Sequence, residues 1–523
     1  MKKYIFIMLL AFMINACTDQ FEEANTNPYS ISGKSLEQDY NQVGSYYQTM
    51  LSKLFGSQTQ ENLVDESFVR HMATPTAFNA GVNNTTYIMW RNNFWLSEYS
   101  GVMAANQNVI RIAEAGGYDV FVAWAKLIRV LAMSRLSAYY GPLIYSQYGT
   151  PGTVHLYDSE QVLYNTWFAE LDEILATYNA NKAYTGLKKF DLSYGGDVNK
   201  WIKFTNSLRL RLAIRISKVD PALAKLQGEK AINEPGGLIT ANADNFNVSL
   251  SGAKLTLAVI CFEWGDTRMS ASMESFLVGL KDKRITKYFQ PATDLKLYPD
   301  HPDYPYKGIR NGAKLGAKDA RLPFSMINES FKSVTSRRVL TAQEVHLCLA
   351  EASLRGWAGA GDAKTDYENG VKASFSDWGA SGVTEYLADG TSKPIDYTDP
   401  ISSPVNDFKT RSTITVKWDE SDSKELKLEK IITQKWIANF TTSLEAWCDH
   451  RRTGYPKLPY NYQNDSNSDW GVIAADDFIK RMTFYLPEKT TNPEGYTDAI
   501  KKLGGPDLIS TRLWWDTGAV LNF

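Results

Sequence analysis

Apolar residues along this chain recur mostly at intervals of three and four, the period of a helix with one buried face. Ser35 with Gln38 forms a capping box ahead of Leu36, Tyr40, Val43, Tyr47, Met50 and Leu54, and Gly56 closes that run. Asp119 caps a helix striped by Val120, Trp124, Leu127, Leu131 and Ala138, which Gly141-Pro142 ends. Asp158 with Gln161 caps another, striped by Leu163, Trp167, Leu171, Ile174 and Tyr178, so the pattern predicts a pair of long antiparallel helices. Asp220-Pro221 starts a further helix reaching about Asn233. Thr341 with Glu344 opens a helix through Val345, Leu349 and Ala352 to Gly356, and Asp362 caps its partner, striped by Tyr367, Val371, Phe375 and Trp378.

One stretch departs from this period. From Leu208 to Ile216 apolar residues alternate with arginine or alanine, which by period alone describes a strand. Asp197 is a good N-cap, however, Trp201, Phe204 and Leu208 keep helical spacing, and Arg211 and Arg215 fall on one helical face, so a helix is expected. Between the helices, residues 63–93 carry weak helical signals and frequent Pro, Gly and Asn, with Tyr87, Trp90, Phe94 and Trp95 set in polar text at and just beyond the end. Pro, Gly, Tyr and Asp crowd residues 289–323 and 379–404. Loops this long are uncommon unless they carry function, and the loop-rich insertions are placed at about 56–95, 240–335 and 379–422.

The N-terminus is an address. Lys2 and Lys3 precede an apolar run from Tyr4 to Ile14 that is too short to span a bilayer, which takes about 20 residues. The run stops at Asn15-Ala16-Cys17, which resembles a bacterial lipobox in which the cysteine sulfur is acylated; Asn15 departs from the usual small residue. Residues 1–16 are therefore expected to be removed and Cys17 to be lipidated. Residues 17–34, with Asp19, Glu22 and Glu23, form a tether, and residues 35–523 form the folded body.

A formal net charge of -2 leaves no electrostatic footprint for nucleic acid. With Cys17 lipidated, Cys261, Cys348 and Cys448 allow at most one disulfide. There is no HExxH, GxSxG, Walker-type GxxxxGK[ST] or CxxC sequence, and His71, His155, His301, His346 and His450 lack metal-ligand spacing, so neither a metal nor a cofactor is expected. Asp465, Asn467, Asp469 and Asp476 echo a calcium loop only faintly, since Trp470 stands where glycine is required. A carboxylate pair of the kind glycoside hydrolases use stays open, because separation in space is not written in a sequence.

Five motifs together resemble the SusD/RagB family of bacterial outer-membrane lipoproteins, in particular its SusD-like subgroup. They are the helix Trp201–Ala213; Leu136–Tyr145 around Tyr140-Gly141-Pro142, where the usual Asp is missing; Thr341–Trp357; the segments Gln434–Ala438, Glu445–Trp447 and Arg451–Pro456; and Thr511–Asp516. The resemblance implies an all-α body of tetratricopeptide-like helix pairs forming an α/α superhelix, with the insertions as ligand face. It also implies a lipid-anchored, surface-exposed, non-catalytic protein that captures oligosaccharides, or alternatively peptides, for a SusC-like TonB-dependent transporter. Within the motifs, the alternating arginines, Glu351 and Arg451-Arg452 read as ion pairs between packed helices. Sugar binding asks for exposed rings beside hydrogen-bonding groups, which selects Trp90, Asn92 and Trp95 in the early loop and Trp264, Asp266 and Arg268 ahead of a helix expected over 269–280.

Overall fold

The computed structural model describes residues 38–78, 81–89, 94–297, 303–518 and 520–523. Its principal helices are α1 (Asn41–Lys53), α2 (Ala104–Gly116), α3 (Asp119–Tyr140), α4 (Glu160–Ala180), α5 (Val198–Arg215) and α6 (Pro221–Ile232). They continue with α7 (Ala271–Gly279), α8 (Ala342–Leu354), α9 (Ala363–Asp377), α10 (Lys424–Ala438), α11 (Ser443–Thr453) and α12 (Pro493–Leu503). Strands among the described residues are short: β1 (Met72–Ala73), β2 (Phe246–Ser249), β3 (Arg268–Met269) and β4 (Ser336–Leu340). The architecture is all-α.

Helices pack as neighbours in sequence: α3 on α4, α5 on α6, α8 on α9, with α4 against α5 and α10 against α8. That α3 and α4 run antiparallel is visible in their ion pairs, Lys126 with Glu173 at 2.7 Å and Arg129 with Glu170 at 2.5 Å, where a step up one helix is a step down the other. Large rings fill the space between pairs. Trp124 stacks 3.6 Å from Tyr47 and meets Trp201 edge-on at 5.6 Å, and Trp124, Trp167, Trp201, Trp436, Trp447 and Trp515 are all fully buried.

Helix α5 explains its own misleading alternation. Asp197 accepts hydrogen bonds from the backbone N–H groups of Asn199 and Lys200, and the helix it caps is surrounded by protein, so its arginines are buried along with its leucines. Each of three arginines meets a carboxylate on a different neighbour: Arg209 with Asp172 of α4 at 2.6 Å, Arg211 with Glu344 of α8 through two bonds of 2.7 Å, and Arg215 with Glu445 of α11. Of the remaining motif charges, Glu351 of α8 pairs with Arg452 of α11, but Arg451, expected in an ion pair, has no carboxylate partner among the described residues: it donates to the Lys480 carbonyl and lies against the Trp447 ring.

Several helix starts differ from the sequence pattern. Asp119 is the first helical residue and Tyr118 the cap. Ser159, not Asp158, caps α4; the Asp158 carboxylate is occupied by the backbone N–H groups of Tyr145 and Ser146. Thr341 makes no capping bond, and the Glu344 carboxylate is committed to Arg211 instead of reaching back to the helix start. Ser35 lies outside the described residues. The expected early loop is partly helical, with a π-helical turn Glu61–Asp65 running into Glu66–Phe68, and Phe94–Glu98 leading through a π-helical Tyr99–Met103 into α2. Cys261, Cys348 and Cys448 are free and buried.

The two antiparallel strand pairs, β1 with β3 and β2 with β4, tie the insertions to the body. Met72 pairs with Met269 and Ala73 with Arg268, while Ser270 bridges to Ile309 and the Met269 N–H donates to the Ser325 carbonyl. Three distant parts of the chain, near residues 72, 269 and 309–325, therefore meet beside α7.

Candidate functional site

Pairing β1 to β3 lays the segment that follows β1, Thr74–Phe78, beside the stretch that precedes β3, Trp264–Thr267. A π-helical turn, Val259–Glu263, delivers Trp264 to the surface, and Gly265 follows with φ +66°, a conformation that lets the chain reverse toward β3. Among the described residues Trp264 is the one tryptophan with close to half its surface in solvent, 48%.

Around the backbone of this loop the polar groups are fixed. Lys318 Nζ donates to the Trp264 carbonyl and to Asp266 Oδ1, both at 2.7 Å, and Gln58 Nε2 donates to Asp266 Oδ2 at 3.0 Å. One lysine thus locks the loop that carries the ring to the carboxylate beside it. A cavity of about 210 Å³ opens there, lined by Thr74, Pro75, Thr76, Ala77, Phe78, Asp266 and Lys318. The Thr76 hydroxyl donates to the Gly316 carbonyl at 3.2 Å, closing the far wall. A half-exposed aromatic ring on this loop can stack on the C–H face of a sugar ring, and the fixed charged and hydroxyl groups of the cavity two residues on can hydrogen-bond its hydroxyls.

The six sequence-selected residues separate in the structure. Trp264 and Asp266 come together as described. Arg268 follows them in β3 but is 4% exposed, its Nε and Nη1 donating to the carbonyls of Leu322 and Thr267 at 3.1 and 2.8 Å, and burial lowers its pKa. Trp95 is 2% exposed, packed among Tyr140, Tyr99, Tyr157 and Phe484 with centroids 4.8 to 6.2 Å away. Neither offers a surface to a ligand here. Trp90 and Asn92, like Cys17, lie outside the described residues.

Sequence reasoning missed Lys318 and Gln58, and also Tyr462, which is 54% exposed. Tyr462 rides on a loop held to the same insertions: its N–H donates to the Gly312 carbonyl at 3.1 Å, and Asn461 Nδ2 donates to the Thr85 carbonyl at 2.8 Å. Among the described residues no group of three or more His, Cys, Asp or Glu side chains is placed to hold a metal ion.

Comparison with known proteins follows the same lines. The SusD-like family, described as SusD and RagB outer membrane lipoprotein, matches residues 23–516. A solved chitin-binding SusD homologue from Flavobacterium johnsoniae is 37% identical, with 91% of this chain and 99% of that one covered and a TM-score of 0.86. SusD homologues from Bacteroides vulgatus (33% identical, 93% and 100% covered, TM-score 0.86) and Bacteroides uniformis (35%, 91% and 99%, TM-score 0.82) superpose similarly. No curated protein matches the chain.

Proposed function

This chain belongs to the SusD-like family of outer-membrane lipoproteins, whose members are non-catalytic binding proteins, and on that premise we propose that it captures oligosaccharides at the cell surface and passes them to a SusC-like TonB-dependent transporter. In this reading Cys17 carries the lipid anchor, and the acidic tether after it holds the body outside the membrane.

The observation that carries the ligand class is the exposure of Trp264 on the loop that Lys318 ties to Asp266, two residues from the cavity that Asp266 and Lys318 line. A tryptophan left half in water is an apolar surface awaiting cover: burying roughly 100 Å² of it is worth about 2–3 kcal/mol at about 25 cal/mol per Å². The lysine and carboxylate beside it supply directional hydrogen bonds that a purely apolar ligand would leave unmet. Because the Flavobacterium johnsoniae relative is described as chitin-binding, chito-oligosaccharides are the first ligands to test.

The test is a glycan and peptide array probed with the purified chain. Retention of one class of oligosaccharide, with no change in the length of the retained glycan, supports the proposal. Retention of peptides alone, or shortening of the glycan, overturns it.

A further inference from the structure

A second cavity, also of about 210 Å³ and sharing no lining residue with the first, lies between the C-terminal end of α11 and the segments after it. Arg411, His450, Arg451, Tyr460, Lys480 and Arg512 line it, with Asp476 and Asp477 as its carboxylates.

Half of these charges have ion-pair partners. Lys480 bonds Asp477, and Arg512 bonds Asp516 at 2.7 Å. Arg411 and Arg451 do not: among the described residues neither has a carboxylate within ion-pair distance. Arg411 donates to the Leu458 carbonyl at 2.7 Å and the Tyr460 hydroxyl at 2.5 Å, with its guanidinium 3.8 Å from the Tyr460 ring centroid. Arg451 donates to the Lys480 carbonyl at 2.8 Å and lies 3.6 Å from the Trp447 ring centroid.

His450 supplies an independent observation. Its side chain is 4% exposed and meets Phe478 edge-on at 4.7 Å, and among the described residues its ring nitrogens have no hydrogen-bond partner, although the ring lines the cavity. The ring nitrogens are not sealed in the core; they open on the cavity. Burial, then the surrounding Lys480, Arg70, Arg411 and Arg451, push its pKa down to about 3, so at neutral pH the ring is uncharged and still has one N–H to donate.

We propose that this cavity is a second ligand site, which takes a single oxyanion group, the carboxylate of an acidic sugar or a sulfate, on Arg411 with His450 as an N–H donor and Lys480 and Arg512 beside it. Guanidinium groups recognise such anions through paired N–H donors. Arg411 is already oriented by Tyr460, so little side-chain freedom is lost on binding. Exposed Asp476 is the opposing charge.

Calorimetric titration of the full-length chain in detergent, at constant ionic strength, tests this with sodium sulfate, methyl glucuronide and methyl glucoside. Sulfate and glucuronide bind at one saturable site and glucoside does not bind there. Sulfate binding without glucuronide binding supports the site with the free inorganic anion as its ligand. Arg411→Gln weakens anion binding about tenfold or more, the loss expected for one charge-assisted contact. Asp476→Asn tightens it by about twofold, the scale of an exposed charge. Both side chains are exposed, so the fold tolerates either change. Absence of saturable anion binding, an Arg411→Gln variant that binds like the parent, or weaker binding by Asp476→Asn overturns the proposal.

Discussion

Arg452 holds Glu351 by both oxygens, Nη1 to Oε1 at 2.6 Å and Nη2 to Oε2 at 2.7 Å, with both side chains at 1% exposure. Arg355 adds a bond of 2.9 Å from Nε to Oε1. A carboxylate removed from such a pair leaves a buried guanidinium with Asp449, at 3.0 Å and shared with Lys435, as its remaining counter-charge. Glu351→Gln is therefore expected to cost about 3–5 kcal/mol in urea unfolding, because breaking a buried pair exposes the desolvation penalty of the survivor. A loss under about 1 kcal/mol would show that the pair is not a joint between α8 and α11.

Buried carboxylates pull in opposite directions with pH. Burial alone would raise Glu351, but Arg452 and Arg355 overcome it and hold the group at about 2. Its stabilisation is present above the unfolded pKa of about 4.3 and is lost as pH falls toward 2. Burial raises Glu98 to about 8, offset only in part by Arg135. Its contribution is present below the unfolded pKa and lost as pH rises through about 8. Glu98→Gln should consequently match the parent near pH 4 and exceed it by on the order of 1–3 kcal/mol at pH 9. A stability difference that does not change with pH would contradict this.

The anchor is tested at Cys17. Mass spectrometry of the mature N-terminus is expected to find that cysteine acylated, and Cys17→Ser should move the chain from the membrane fraction to the soluble one. An unmodified Cys17 on membrane-bound protein would require a different attachment.

Co-purification in mild detergent addresses the transporter. A tagged chain is expected to bring down one large outer-membrane barrel in near-equal amount; recovery as a monomer from native membranes would count against the delivery step.

How much of this was legible in the sequence depends on where each signal resides. Helices α5, α6 and α9 could be read because Asp197, Asp220 and Asp362 are local caps that need no distant partner. The turn Glu61–Asp65 could not, since it buries Glu61, Asn62 and Asp65, polar residues that leave no apolar period. Trp264 and Asp266 were visible as a ring beside an acid in irregular text. Lys318, which fixes both, stands 52 residues beyond Asp266, and a two-residue strand pair that sets Thr74–Phe78 alongside is too short for any propensity to announce. Trp95 and Trp264 look alike locally; only Tyr140, Tyr157 and Phe484, brought in by the fold, decide that Trp95 is core.

The most direct test of the account is calorimetric titration of the parent chain and of Trp264→Ala with the oligosaccharide that the array selects, chitohexaose being the first choice. The parent is predicted to bind saturably without releasing new reducing ends, and the variant to bind more weakly by about 1–3 kcal/mol, the range for losing one well-packed aromatic contact. Equal affinity of parent and variant would show that Trp264 is not the platform, and turnover of the bound sugar would contradict a non-catalytic binder.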